Sequence, residues 1–294
     1  LPMLNLENVN QINLSHCTAL VISEEVAREG LGNIINTIAN NIEIRPTCNI
    51  LVCQDKAKSF LETASKVEDI SSKFYTSFIE SIKITSYTTP CTISHFYSTT
   101  HHDISSPLAL YCFEKDDNIE ALGLAIFDRY TMIGRTSGVE TICYNLLTDN
   151  FEESTIEVYN YQSPDIPLSI NLSSPQKTKI KVKLEDGKPK ITCNICVNSK
   201  ILSTNENYDF SSEEARQKIE AEINKFLEDY CTAFLCKTAQ EYGVDVIGFE
   251  GYFNKNFLTQ NQIDKYNWKE LYKNATFEVT STNHLLSGFL FSKT

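Results

Sequence analysis

The sequence predicts an α+β, multi-domain protein whose mixed and antiparallel sheets each pack against helices, with a long helix in the C-terminal domain. Three observations predict it. Strand-like and helix-like stretches alternate through roughly the first 85 residues. From about residue 156 the chain turns strand-rich, with apolar residues at every second position. A capped run of helical periodicity then begins near residue 212 and gives way to a final strand. The blocks expected are an N-terminal α/β domain over 1–85, a small middle α+β domain over 86–155, and a C-terminal α+β domain over 156–294 with an antiparallel sheet and the long helix.

Thr18–Ile22 reads as a short buried strand. Ser23 follows as a helix N-cap, and Glu24 and Glu25 suit the positive end of a helix macrodipole. Ile34, Ile35 and Ile38 place a second helix at about 32–40, and Glu43–Cys53 returns to strand around Pro46. From Asp55 to about Lys83, Phe60, Leu61, Ala64, Val67, Phe74, Phe78 and Ile82 recur at helical spacing. A helix is expected at 90–102. Strands at Leu108–Glu114 and Glu120–Asp128 are joined by the turn signal Lys115-Asp-Asp-Asn118. Gly134–Gly138 reads as a loop and Val139–Leu147 as a helix.

The last block opens with strands at Thr155–Tyr161, Leu168–Leu172, Lys177–Leu184 and Lys190–Val197, the last two linked by Glu185-Asp-Gly187. Ser211-x-x-Glu214 has capping-box spacing. Ile219, Ile223, Phe226, Tyr230 and Phe234 form a stripe that runs toward Gly243. Strand character resumes at Thr276–Thr282, and Leu285–Phe291 closes the chain on an apolar run.

Composition narrows the function. The 294 residues carry 26 Lys and Arg against 38 Asp and Glu, a net charge of −12. A general nucleic-acid binder needs the opposite surplus, so no nucleic-acid partner is expected. The same charge argues against adhesion to anionic lipid through the protein's own surface. Apolar runs such as Ile50–Cys53 and Leu122–Phe127 are far short of the ~20 residues that span a bilayer. No signal-peptide pattern follows Leu1, so the expectation is either a cytosolic chain or one from which an upstream targeting segment has been removed.

Ten cysteines sit mostly inside apolar runs, where they behave as small hydrophobes. Cys193 and Cys196 have CxxC spacing, but in a strand residues three apart face opposite ways, which disfavours a shared metal or disulfide. The nearest thing to a catalytic or metal cluster is Cys91, His95, His101, His102 and Asp103. Cys91, His95 and His102 fall on a common arc of a helix, compatible with a metal or a thiol–imidazole pair. An amphipathic helix with polar residues near its end is the favoured explanation of them. Phosphate-binding glycine loops, G-x-S-x-G and H-E-x-x-H are absent from the sequence. The expectation is therefore no enzyme, no cofactor, and no catalytic or metal site.

Three stretches carry a resemblance. They are Leu20-Val-Ile-Ser-Glu-Glu-Val-Ala-Arg-Glu-Gly-Leu31 with Glu43-Ile-Arg45 and Ile50–Cys53; Gly123-Leu-Ala-Ile-Phe-Asp128 with Met132-Ile-Gly134 and Glu140-Thr141; and the long helix ending at Gln240 with Asp245-Val-Ile-Gly-Phe249, Trp268-Lys-Glu-Leu-Tyr272, Phe277–Val279 and Gly288. In this order the chain resembles the C subunits of spore germinant receptors, the Ger(x)C lipoproteins, from about residue 14 to 290. It departs from that pattern at Ala39-Asn-Asn41, where the family has an Arg, and at Glu250, where a second Gly is usual and Gly251 follows one place later. Members carry a lipobox Cys and a further stretch ahead of the first segment, so the first domain is expected to be truncated at its start.

The resemblance implies a non-enzymatic protein of sporulating cells, tethered by an N-terminal lipid (palmitate) to the outer face of the spore inner membrane. Its partners there would be the integral-membrane A and B subunits of a nutrient germinant receptor. The alternative is a stand-alone extracytoplasmic small-molecule-binding protein. The family supplies no catalytic residues to transfer.

Overall fold

A computed structural model describes residues 14–41, 43–67, 71–82, 85–102, 105–158, 167–203 and 212–286. The chain divides into two units, Leu1–Ile82 with Pro90–Arg135, and Lys83–Thr89 with Thr136–Thr294.

In the first unit β1 (Ala19–Ser23), β2 (Asn49–Cys53), β3 (Leu108–Lys115), β4 (Asn118–Asp128) and β5 (Thr131–Arg135) form one sheet in that order. The first three strands run parallel, with Leu20 beside Ile50 and Leu51 beside Leu110. β4 and β5 return antiparallel. Parallel neighbours require crossovers. These are α1 (Glu24–Glu29) and α2 (Gly32–Ala39) between β1 and β2, then α3 (Ala57–Val67), α4 (Ser71–Ile82) and α5 (Ile93–His102) before β3.

β2 shows why helices cover both faces. Ile50 and Val52 pack with Leu31, Ile35 and Phe96 on one side, while Leu51 and Cys53 pack with Phe60, Ala64 and Phe74 on the other. A strand buried on both faces loses its polar alternation and reads as a continuous apolar run. At ~1.5–3 kcal/mol per fully buried aliphatic or aromatic side chain, these layers dominate the unit's stability. The β3–β4 hairpin turns on Asp116 and Asp117, both at positive φ (50° and 58°), as a two-residue hairpin turn demands.

The second unit holds α6 (Gly138–Leu147) and the strands β6 (Glu153–Val158), β7 (Leu168–Ser173), β8 (Lys179–Glu185), β9 (Lys188–Ser203) and β10 (Thr276–Leu285). Its sheet runs β10-β9-β7-β6, with β8 also on β9. β10 pairs parallel along residues 190–199 of β9. β8 takes the first half of the opposite edge of β9 and β7 the second half, so those two strands lie end to end. Cys193 is fully buried and Cys196 only partly so, which places the CxxC thiols on opposite faces of β9.

The long helix α7 (Glu213–Cys236) passes into a π-helical turn, Lys237–Tyr242, which ends at Gly243. Its N-cap is Ser212, one residue after the one expected, and accepts from the Ala215 N–H at 3.2 Å. The buried stripe is Ile219, Ile223, Leu227, Cys231 and Leu235, with Phe234 beside it. Phe226 and Tyr230 stack on each other on the flank, and Tyr230 is 45% exposed. Lines of spacing three and four run close together on a helix, and the fully i,i+4 line is the one that is buried.

Two further expectations about elements change. The helical run from Asp55 is two helices, α3 and α4, and the loop expected from Gly134 is partly strand β5. Residues 86–155 are shared between the units: β3, β4 and β5 complete the first sheet, whereas Ser86 donates to Glu153 O at 2.9 Å and accepts from Asn145 Nδ2 at 3.1 Å in the second. Strand pairing, which periodicity does not reveal, sets that division. The expected strand end at 159–161 and the run beyond Leu286 lie outside the described residues.

Candidate functional site

β1 and β2 end side by side, Ser23 against Cys53. Both strands then turn almost at once into helices. Loops that diverge from the carboxyl ends of parallel strands leave a crevice between them. Here it is a cavity of about 420 Å³ lined by Ser23, Glu25, Gln54, Asp55, Lys56 and Ser59. Its lining side chains are polar or charged, with Glu25 and Asp55 opposite in sign to Lys56.

Several groups around it are already hydrogen-bonded within the protein. Ser23 Oγ accepts from the Val26 N–H as the cap of α1, and Ser59 Oγ donates to Glu114 Oε2 at 3.4 Å. The Cys53 thiol donates to Ile22 O at 3.4 Å and Asp55 O at 3.2 Å, and burial pushes it up to about 11, so it stays protonated. Beside the cavity, Glu24 accepts from Tyr111 Oη at 2.6 Å and Arg28 Nε at 2.8 Å. Burial raises the Glu24 carboxyl, but these two donors outweigh it and hold the group below its ordinary value. Arg135 stacks its guanidinium 4.8 Å from the Tyr111 ring centre.

The residues singled out from the sequence are not gathered. Cys91 is buried ahead of α5, and burial pushes its thiol up to about 12. His95 and His101 lie on the exposed side of α5, with His101 stacked on Tyr97 at 3.9 Å. Asp103 and the His102 side chain lie outside the described residues. Among the described residues no three His, Cys, Asp or Glu side chains converge as metal ligands.

In the second unit the segments that carried the resemblance meet around one buried acid. Asp245 is 8% exposed. Its carboxylate accepts from Ile247 N at 3.2 Å, Gly248 N at 2.8 Å, Glu250 N at 3.0 Å and Trp268 Nε1 at 3.0 Å. Gly248, at φ 85°, turns the chain into α8 (Phe249–Asn254) and so points those N–H groups at the acid. Burial raises the Asp245 carboxyl against the pull of these donors. After α9 (Gln260–Ile263), the Trp268 side chain is delivered by α10 (Trp268–Tyr272), whose Tyr272 hydroxyl meets Thr238 Oγ1 at 2.8 Å. Glu140 and Thr141 are likewise structural. Glu140 closes a capping box with Ser137 and pairs with Lys237 at 2.9 Å, while Thr141 Oγ1 lies 2.7 Å from that of Thr136.

These features define a two-unit α+β protein with a cavity at one sheet edge and a buried acid that ties the 245–250 segment of the second unit to the helix that carries Trp268. The family described as "Spore germination B3/ GerAC like, C-terminal" matches residues 122–287, and that described as "Spore germination protein N-terminal domain" matches 2–112. The chain belongs to this GerAC-like family and is a spore germination protein of the GerC type. The spore germination protein GerQC of Bacillus cereus is 24% identical over 277 residues, covering 92% of this chain and 74% of its own. The crystal structure of the GerBC protein shares the fold at a TM-score of 0.73 and 16% identity, over 97% of this chain and 83% of that one.

Proposed function

We propose that this chain is a non-enzymatic subunit of a nutrient germinant receptor. In this reading an N-terminal lipid holds it on the outer face of the spore inner membrane, where it assembles with integral-membrane A and B subunits. The observation that carries the proposal is the match of both halves of the chain, in order, to the two germination families. The surface agrees with it. At −12 the chain has no excess of cations to hold it on anionic lipid, and among the described residues no helix is long and apolar enough to cross a membrane. Attachment then falls to a tether and to partner subunits. Co-purification tests this: a tagged copy in detergent extracts of spore membranes brings down A and B subunits, and recovery of the tagged chain alone contradicts it.

A second reading, a stand-alone small-molecule-binding protein, draws on the cavity of Ser23, Glu25, Gln54, Asp55, Lys56 and Ser59. Titration calorimetry of the isolated chain against amino acids and sugars separates the two. Tight, specific heats that vanish in Asp55→Ala favour the second reading, and their absence favours the receptor subunit.

A further inference from the structure

Cys17 and Cys48 lie 31 positions apart in sequence, yet their sulfurs are 3.7 Å apart. The parallel pairing of β1 with β2 brings them together. Where the strands begin, Asn49 N at the head of β2 donates to Thr18 O just ahead of β1 at 3.0 Å, which aligns the two entering segments. The thiols are not equivalent. Cys48 is 1% exposed, whereas Cys17 is only half-buried. Their mutual hydrogen bond holds the Cys17 thiol below its ordinary value, against the opposing effect of burial, and pushes Cys48 up. A reachable thiol with thiolate character backed by a second, sheltered thiol is the arrangement that disulfide exchange requires.

We propose that Cys17 and Cys48 form a thiol–disulfide exchange site that takes a low-molecular-weight disulfide, with Cys17 as the attacking thiol and Cys48 as the resolving one. The Cys17 thiolate attacks one sulfur of the small disulfide. That S–S bond breaks, and one small thiolate leaves with the electron pair. Cys48 then gives its proton to the departed thiolate and attacks the Cys17 sulfur, expelling the second small thiolate, which takes up from water the proton that Cys17 released on becoming a thiolate. The two protein thiols are oxidised to one disulfide, and the small disulfide is reduced to two thiols. An S–S bond of ~2.05 Å needs the sulfurs to close by roughly 1.7 Å, within reach of side-chain rotation in the segments ahead of the strands.

The bond has a structural consequence. β1 is the edge strand of its sheet, and Ile22 is its one buried residue. Edge strands with few buried contacts open first. A Cys17–Cys48 disulfide joins the start of this strand to its better-buried neighbour β2 and holds the edge closed.

The experiment treats the whole chain with oxidised glutathione, digests it without reduction and maps the peptides. The expected product links the peptides of Cys17 and Cys48, and amide exchange in β1 slows relative to the reduced protein. In Cys48→Ser the reaction stops at a glutathione mixed disulfide on Cys17. It forms on the order of tenfold faster there than on Cys196 or Cys236, the other half-buried thiols. Two outcomes overturn the proposal: mixed disulfides that persist on Cys17 in the unsubstituted chain without a link to Cys48, or a Cys17 no faster than Cys196 and Cys236. Should Cys48→Ser fail to fold, the peptide map and the β1 exchange rates of the unsubstituted chain decide alone.

Discussion

The carboxylate of Glu228, on α7, accepts a hydrogen bond from the backbone N–H of Ser281, on β10, at 2.8 Å. Glu220 does the same for Leu285 at 2.7 Å. β10 is the edge of its sheet, so these N–H groups have no neighbouring strand to bond. Eight residues of helix rise ~12 Å and four of strand ~13 Å, so the two glutamates fall in register with alternate outward N–H groups. Edges left bare pair with other chains.

Glu228→Ala together with Glu220→Ala is therefore expected to lower stability by about 1–2 kcal/mol in urea unfolding and to promote self-association. Light scattering across a concentration series reads the second effect. Glu228→Gln keeps an acceptor and should lose less.

Asp245→Asn places an amide N–H₂ where donors already converge, so at least one buried N–H loses its partner. A loss of about 2–3 kcal/mol is expected, and about 1–2 kcal/mol for Trp268→Phe. Because both act on one oxygen, the double variant should cost less than the sum of the two. Chemical denaturation of the four proteins measures the coupling, and full additivity would contradict a shared bond.

Acid acts on the two carboxyl centres in opposite directions. Glu24 is held below its ordinary 4.5, so its contribution is present above about pH 4.5 and is lost as pH falls through its lower folded value. Asp245 is held above its ordinary 3.8, so its contribution is present below that pH and is lost as pH rises through its higher folded value. Tyr111→Phe, which removes a donor to Glu24, should cost about 1 kcal/mol at neutral pH and progressively less as pH falls through the lowered folded value of Glu24. Thermal melts across that range check the sign.

Ser137→Ala removes the acceptor that caps α6 at the Glu140 N–H, 3.2 Å away, and should cost about 1 kcal/mol. Glu140→Gln keeps an oxygen for the Ser137 N–H but breaks the ion pair with Lys237, and should cost less. Equal losses would contradict this separation of cap from ion pair.

Much of the architecture was legible because local chemistry wrote it. Apolar continuity marked β2, turn residues marked the β3–β4 and β8–β9 hairpins, and Ser23 and the serines ahead of α7 marked helix starts. The unit boundary was not legible, since whether β3 joins β2 or forms a separate block depends on pairing across more than 50 residues. The cavity was missed for a related reason. Glu24 and Glu25 were fully accounted for by the helix dipole, and only the side-by-side ending of β1 and β2 brings Glu25 to Asp55. Asp245 and Trp268 were visible as parts of a resemblance, and their physical reason, one carboxylate shared by four donors, needed the fold. The Cys17–Cys48 contact could not be read from spacing, because a parallel crossover creates it.

The chain is a spore germination protein, and we propose that its part in germination is nutrient sensing. Deleting its gene and timing germination across a broad nutrient panel tests that most directly. Blocked or slowed germination in at least one nutrient is expected, with vegetative growth unchanged. Normal germination in every nutrient would contradict it.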